Sequence, residues 1–122
     1  MDSFSFGDSP EMGRELLDLV LQGRKTATAW AEVQGDFGTK VGGQMIIKDW
    51  QDHPRVLIET TELTCRPFNE IDESFARDEG EGDLSLEYWR REHQKYFIRE
   101  GTFSEDMKVY CQRFKVIEIL KI

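Results

Sequence analysis

The strongest constraint on the fold is the order in which hydrophobic periodicity changes along the chain. A helical stripe comes first, then three alternating segments, then two further helical segments, and finally one strand-like run. Helices gathered at two points around consecutive strands exclude the regular alternation of a doubly wound sheet. They predict an α+β domain, with a curved, largely antiparallel sheet or small barrel flanked by helices. The last strand is then expected to return beside an earlier one, which would close a barrel and remove exposed edges. The 122 residues are read as a single domain, 1–122. Folding at this length buries roughly two-thirds of the unfolded chain's surface, enough for a core without disulfide or metal staples.

The first helix is predicted from Ser9-Pro10-Glu11 to about Gln22. Ser9 is placed to cap it, Pro10 suits its first position, and Glu11 complements the dipole. Met12, Leu16, Leu17, Val20 and Leu21 fall on one stripe, with Gly23 at the expected left-handed C-cap. Thr26 to Val33, Met45 to Trp50 and Arg55 to Cys65 read as three strands of a meander, the last stopped or placed on an edge by Pro67. Asn69 to Asp83 reads as a short helix and then a loop, broken by Gly80 and Gly82. Ser85 starts a longer helix that ends near Gly101, with Leu86, Trp89, His93, Tyr96 and Phe97 on its stripe. Val109 to Ile119 is the most apolar strand candidate.

Charge narrows the partners. The chain carries 16 Lys+Arg against 24 Asp+Glu, a formal net charge of −8. Such a surface repels a phosphate backbone and lacks the cations behind non-specific nucleic-acid binding. Hydrophobic residues at 39% exclude a disordered chain. The start Met1-Asp2-Ser3-Phe4 has no secretory character, and no apolar run is long enough to span a membrane. A cytoplasmic protein without membrane association is expected. Cys65 and Cys111, each in a strand-like run, are read as reduced core thiols.

Signatures of the familiar enzyme classes are absent. The chain has no G-x-x-x-x-G-K-[ST] loop, G-x-S-x-G elbow, H-E-x-x-H or C-x-x-C. His53 in a turn and His93 on a helix stripe are too few for a histidine-based zinc site, and are read as surface or structural groups. Asp78-Glu79-Gly80-Glu81-Gly82-Asp83 does not match an EF-hand, and is read as a solvated acidic loop ahead of a helix N-terminus. No metal and no cofactor is expected. What remains is Gly23-Arg24-Lys25-Thr26-Ala27-Thr28, which delivers two bases and two hydroxyls where a helix passes into a strand. In a regular strand Lys25 and Thr28 point to opposite faces, so they meet at one site only if the chain turns or bulges between them.

That segment resembles the G-x-K-x-x-T signature of the ASCH domain family, small PUA-like β-barrel proteins. Phe6-Gly7-Asp8-Ser9-Pro10-Glu11, Lys40-Val41-Gly42, the acidic run 78–83, Ser85-Leu86-Glu87-Tyr88-Trp89 and Cys111-Gln112-Arg113-Phe114 extend the resemblance to a bacterial branch of the family over nearly the whole chain. A related, shorter branch removes the acetyl group of N(4)-acetylcytidine with a lysine, a threonine and a glutamate. By resemblance these fall on Lys25, Thr28 and Glu79, with Glu81 as the alternative to Glu79. Thr28 is then the nucleophile. Lys25 is the base and must be neutral part of the time, and Glu79 orients Lys25 or protonates the leaving nitrogen. Trp30 is placed to stack on a pyrimidine, and Arg24 or Arg77 to contact ribose or phosphate; the other reading of Trp30 is core packing.

Three functions follow. The leading one is a deacylase acting on an acylated pyrimidine nucleoside. The second is an RNA-binding or RNA-processing module, by analogy with the PUA barrel. The third is a sensor that binds a nucleoside without turning it over. The acidic balance favours a small uncharged nucleoside over RNA.

Overall fold

Side-chain caps start the helices. Ser9 Oγ accepts from the amide of Met12 at 3.2 Å, and Pro10 opens α1 (Pro10–Leu21). Asp72 accepts from the Phe75 amide at 2.9 Å ahead of α2 (Glu73–Glu79). Ser85 Oγ accepts from the Tyr88 amide at 3.0 Å ahead of α3 (Leu86–Glu100). Each bond satisfies an amide that has no partner within its own helix. The computed structural model describes residues 2–121, so Met1 of the N-terminal segment read above lies outside the described residues.

The strands are β1 (Ser3–Phe4), β2 (Ala27–Ala31), β3 (Gln44–Lys48), β4 (Pro54–Pro67) and β5 (Lys108–Ile119). They form one sheet in the order β1-β3-β4-β5-β2. As the sequence predicts, the last strand returns: β5 lies antiparallel to both β4 and β2. The expected barrel is not closed. β1 and β2 stand at the two ends of the order and do not pair with each other among the described residues. A two-residue edge strand offers too few ladder positions to close a sheet, and β1 is also too short to register in any periodicity. Curvature comes instead from register shifts at Ile47/Lys48, Leu57/Ile58 and Thr60/Glu62.

Two hydrophobic clusters hold the helices on the sheet. Leu17 and Val20 of α1 pack with Phe6, Met45, Ile47, Val56, Ile58 and Phe114. Phe75 and Ala76 of α2 and Trp89 and Phe97 of α3 pack with Ala27, Ala31, Val109 and Cys111. Full burial of a side chain the size of Phe97 contributes about 2–3 kcal/mol. The apolar character of β5 is only partly spent on this core, because Val116, Ile117 and Ile119 near its end are exposed. The cysteine expectation holds for buried Cys111 and fails for Cys65, which is exposed. The cysteines sit one ladder position apart, Cys65 opposite Tyr110 and Cys111 opposite Thr64, so pleating sends them to opposite faces. Among the described residues, no helix is long and apolar enough to cross a membrane.

Candidate active site

The site is assembled where the turn after α1 meets the turn after α2. The chain leaves α1 with the Lys25 amide donating to Leu19 O at 3.1 Å, and the Thr26 amide donates to Asp78 O at 2.8 Å. Lys25 therefore lies in a turn and not in β2, which begins at Ala27. This removes the opposite-faces difficulty, and Lys25 and Thr28 line the same cleft. Gly80 allows the two turns to touch. Its φ is +75°, and a Cβ there would stand 2.3 Å from the carbonyl oxygen of Arg24. Only glycine tolerates both the left-handed backbone and so close an approach.

That contact carries Glu79 and Glu81 onto Lys25. The ammonium donates to Glu79 Oε1 at 2.7 Å and to Glu81 Oε2 at 3.1 Å. Lys25 and Glu79 are each only 1% exposed, whereas Glu81 keeps 21% of its side chain in solvent. The acidic run is thus not the solvated loop expected from its composition. Glu79 turns inward, Glu81 turns partly inward, and Asp78 pairs with Arg113 at 2.8 Å. Buried charges persist only when paired and hydrogen-bonded, and Glu79 is well supplied. Its Oε2 accepts from Trp89 Nε1 at 2.5 Å and faces His93 Nε2 at 3.0 Å.

The charge states follow from this packing. Burial works to lower the Lys25 pKa, but the Glu79 and Glu81 carboxylates outweigh it and hold the ammonium above its ordinary value. Burial likewise works to raise that of Glu79, yet Lys25 and then His93 pull it down to about 2. The part-time neutral lysine required by the sequence reading is therefore not the form this geometry favours; Lys25 stands here as a charged partner. Glu79, Glu81 and His93 offer ligand atoms within 4.8 Å of one another. Because the Lys25 ammonium already sits on both carboxylates, the trio does not fit a metal ion while Lys25 is in place.

The cleft beside this cluster encloses about 210 Å³ and is lined by Lys25, Thr28, Glu79, Glu81, His93 and Tyr96, among others. A larger cavity of about 390 Å³ adjoins it, lined by Phe4, Phe37, Met45 and Gln112, and the two share Phe6, Thr28, Trp30 and Tyr96. Thr28 thus stands between a charged compartment and one that carries five aromatic side chains, Phe4, Phe6, Trp30, Phe37 and Tyr96. Trp30 lines both cavities, packs near Tyr110 and Phe37, and donates from Nε1 to Gly35 O at 2.7 Å. Arg24 and Arg77 are exposed and line neither cavity. Arg24 meets the site only through its backbone at Gly80, and Arg77 lies on the solvent side of α2. Sequence reasoning missed Arg99, which lines the smaller cleft while paired with Asp8 at 3.0 Å, and gave His93 no place there. The spacing of Trp89, His93, Tyr96 and Phe97 marked their common stripe, but not which of them meets a carboxylate.

Fold and site together define a small α+β domain in which an open, bent sheet and three helices line a ligand-sized cleft, with a buried lysine–carboxylate pair beside a threonine. The chain belongs to the ASCH domain family, whose model matches residues 2–118. It is similar to the crystal structure of an ASCH domain from Lactobacillus crispatus JV V101, with a TM-score of 0.86 and 32% identity over 94% of this chain and 78% of that one. It is also similar to a protein from Enterococcus faecalis V583, with a TM-score of 0.86 and 38% identity over 98% of this chain and 77% of that one. No curated protein matches.

Proposed function

We propose that this protein is an amidohydrolase that removes the acyl group from an N(4)-acylated cytidine or a similar nucleoside amide. The observation that carries this reading is the convergence of Lys25, Thr28 and Glu79 on one cleft, although Lys25 and Glu79 are 54 residues apart. Thr28 Oγ1 attacks the amide carbonyl. Lys25 is charged in its ion pair, so its service as base begins with transfer of one proton from Nζ to Glu79 Oε1, over the 2.7 Å that separates them. A neutral pair is favoured over an ion pair when substrate seals the cleft from water. Neutral Lys25 then takes the threonine proton, and the carbon–nitrogen bond breaks as Glu79 returns its proton to the leaving amine. Lys25 then passes a proton to Glu79 a second time, water attacks the resulting Thr28 ester as neutral Lys25 takes its proton, and Glu79 returns its proton to the departing Thr28 Oγ1. Release of the acid restores the hydroxyl and the ion pair.

The aromatic side of the site, with Trp30 on the wall of both cavities, suits a planar base. One observation favours the nucleoside sensor as a second reading: Lys25 is fully engaged by two carboxylates, as in a binding site that never deprotonates it. Incubation of chelator-treated protein with N(4)-acetylcytidine separates the two. Conversion to cytidine by wild-type protein is expected, lost by at least two orders of magnitude in folded Lys25→Ala and Thr28→Ala, as for removal of a nucleophile or its base. Binding of the nucleoside without conversion would leave the sensor.

A further inference from the structure

His93 is a largely buried titratable group that the proposed reaction does not use. Its side chain is 13% exposed and lies on the wall of the smaller cleft. Both ring nitrogens face acceptors. Nδ1 lies 2.9 Å from the carbonyl oxygen of Trp89, which has no proton to give. Nε2 lies 3.0 Å from Glu79 Oε2, a carboxylate that already accepts from Trp89 Nε1 and, through Oε1, from Lys25. A neutral imidazole has one N–H and one lone pair, so either tautomer would aim a lone pair at an oxygen. Only the imidazolium satisfies both contacts. The ring also stacks on the indole of Trp89, with centroids 4.1 Å apart and planes 14° from parallel, a face that favours a cation.

We propose that His93 is a positioning residue held as an imidazolium, which with Trp89 fixes the plane of Glu79 so that its other oxygen meets Lys25. The cluster is then two cations on two carboxylates, drawn from three separate stretches of chain. The groups that face His93 are Glu79 at the end of α2, Glu81 in the loop that follows, and Lys25 in the turn before β2. Burial and Lys25 oppose its charge; Glu79 and Glu81 outweigh them and hold the imidazolium above the ordinary histidine range. Of the four members, histidine is the one whose charge changes near neutral pH. Loss of its proton leaves a lone pair facing either Glu79 Oε2 or the Trp89 carbonyl and removes a positive charge from beside the carboxylate, which loosens the hold on Glu79 opposite Lys25. The bearing of this on turnover rests on the deacylase reading; the charge state and the coupling to Lys25 do not.

The test is a pH titration followed by nitrogen NMR on uniformly labelled protein, observing the His93 ring and the Lys25 ammonium together, with Glu79→Gln and His93→Gln beside wild type. Expected at pH 7 are two protonated ring nitrogens on His93, a midpoint above the ~6.5 of a free histidine, and a lower midpoint in Glu79→Gln. The Lys25 signal is expected to shift with the His93 midpoint in wild type and to lose that shift in His93→Gln. A single neutral tautomer at pH 7, or a Lys25 signal indifferent to the His93 titration, would overturn the proposal; both are read on wild type and need no variant to fold. A coupled pair of signals in protein that leaves N(4)-acetylcytidine intact would sink the deacylase reading and keep this one.

Discussion

Replacing Glu79 with Gln measures how the buried cluster is held together. One carboxylate accepts from Lys25 Nζ, Trp89 Nε1 and His93 Nε2. The amide keeps the shape but has one acceptor oxygen, and its own donors face the donors of its neighbours. Lys25, at 1% exposure, then keeps only the partly solvated Glu81 as counter-charge. Removing one partner of a buried ion pair costs about 3–5 kcal/mol. The proton linkage of Glu79 leads to a similar figure: a fall from its ordinary 4.5 to about 2, at ~1.4 kcal/mol per pH unit, amounts to about 3 kcal/mol. The folded pKa is depressed, so this stabilisation is present above pH ~4.5 and is lost as the pH falls toward ~2. Urea unfolding of wild type and Glu79→Gln at pH 7 should therefore show a gap of about 3–5 kcal/mol, narrowing by about 2 kcal/mol at pH 3 as wild type gives up its advantage. A gap below about 1 kcal/mol at pH 7, the scale of an exposed pair, or one that does not narrow in acid, would refute the account of a buried, charge-paired Glu79.

Gly80→Ala should destabilise by clearly more than Gly23→Ala in thermal unfolding, although both glycines have positive φ. An added Cβ at Gly23 meets nothing within 4 Å, which leaves the ~1 kcal/mol backbone penalty, whereas at Gly80 it strikes the Arg24 carbonyl and pries the two turns apart. Equal losses would show that the turn–turn contact is not needed. A thiol reagent at neutral pH should label exposed Cys65 in the native protein and reach Cys111 only on unfolding, because burial pushes the Cys111 thiol up to about 12. Mass mapping of the labelled peptides checks it, and fast native labelling of Cys111 would contradict its place in the core.

The sequence by itself determined what depends on local pattern. Ser9, Pro10 and Ser85 marked helix starts because capping needs only neighbours in the chain, and the stripes of α1 and α3 showed which faces are buried because a helix repeats every 3.6 residues. The return of β5 followed from the order of elements, and resemblance singled out Lys25, Thr28 and Glu79. Tertiary structure alone decided whether the sheet closes, since two-residue β1 has no period to read and the bends lie at three register shifts. It also decided that Lys25 is a buried cation, that both Glu79 and Glu81 hold it, that His93 completes the cluster, and that Arg24 and Arg77 stay outside. Periodicity reports which side of an element faces the core, whereas the state of a buried charge is set by partners brought from elsewhere in the chain. The 54-residue separation of Lys25 and Glu79 is closed by a glycine's missing Cβ and a backbone hydrogen bond from Thr26 to Asp78, and neither leaves a trace in the pattern of polar and apolar residues.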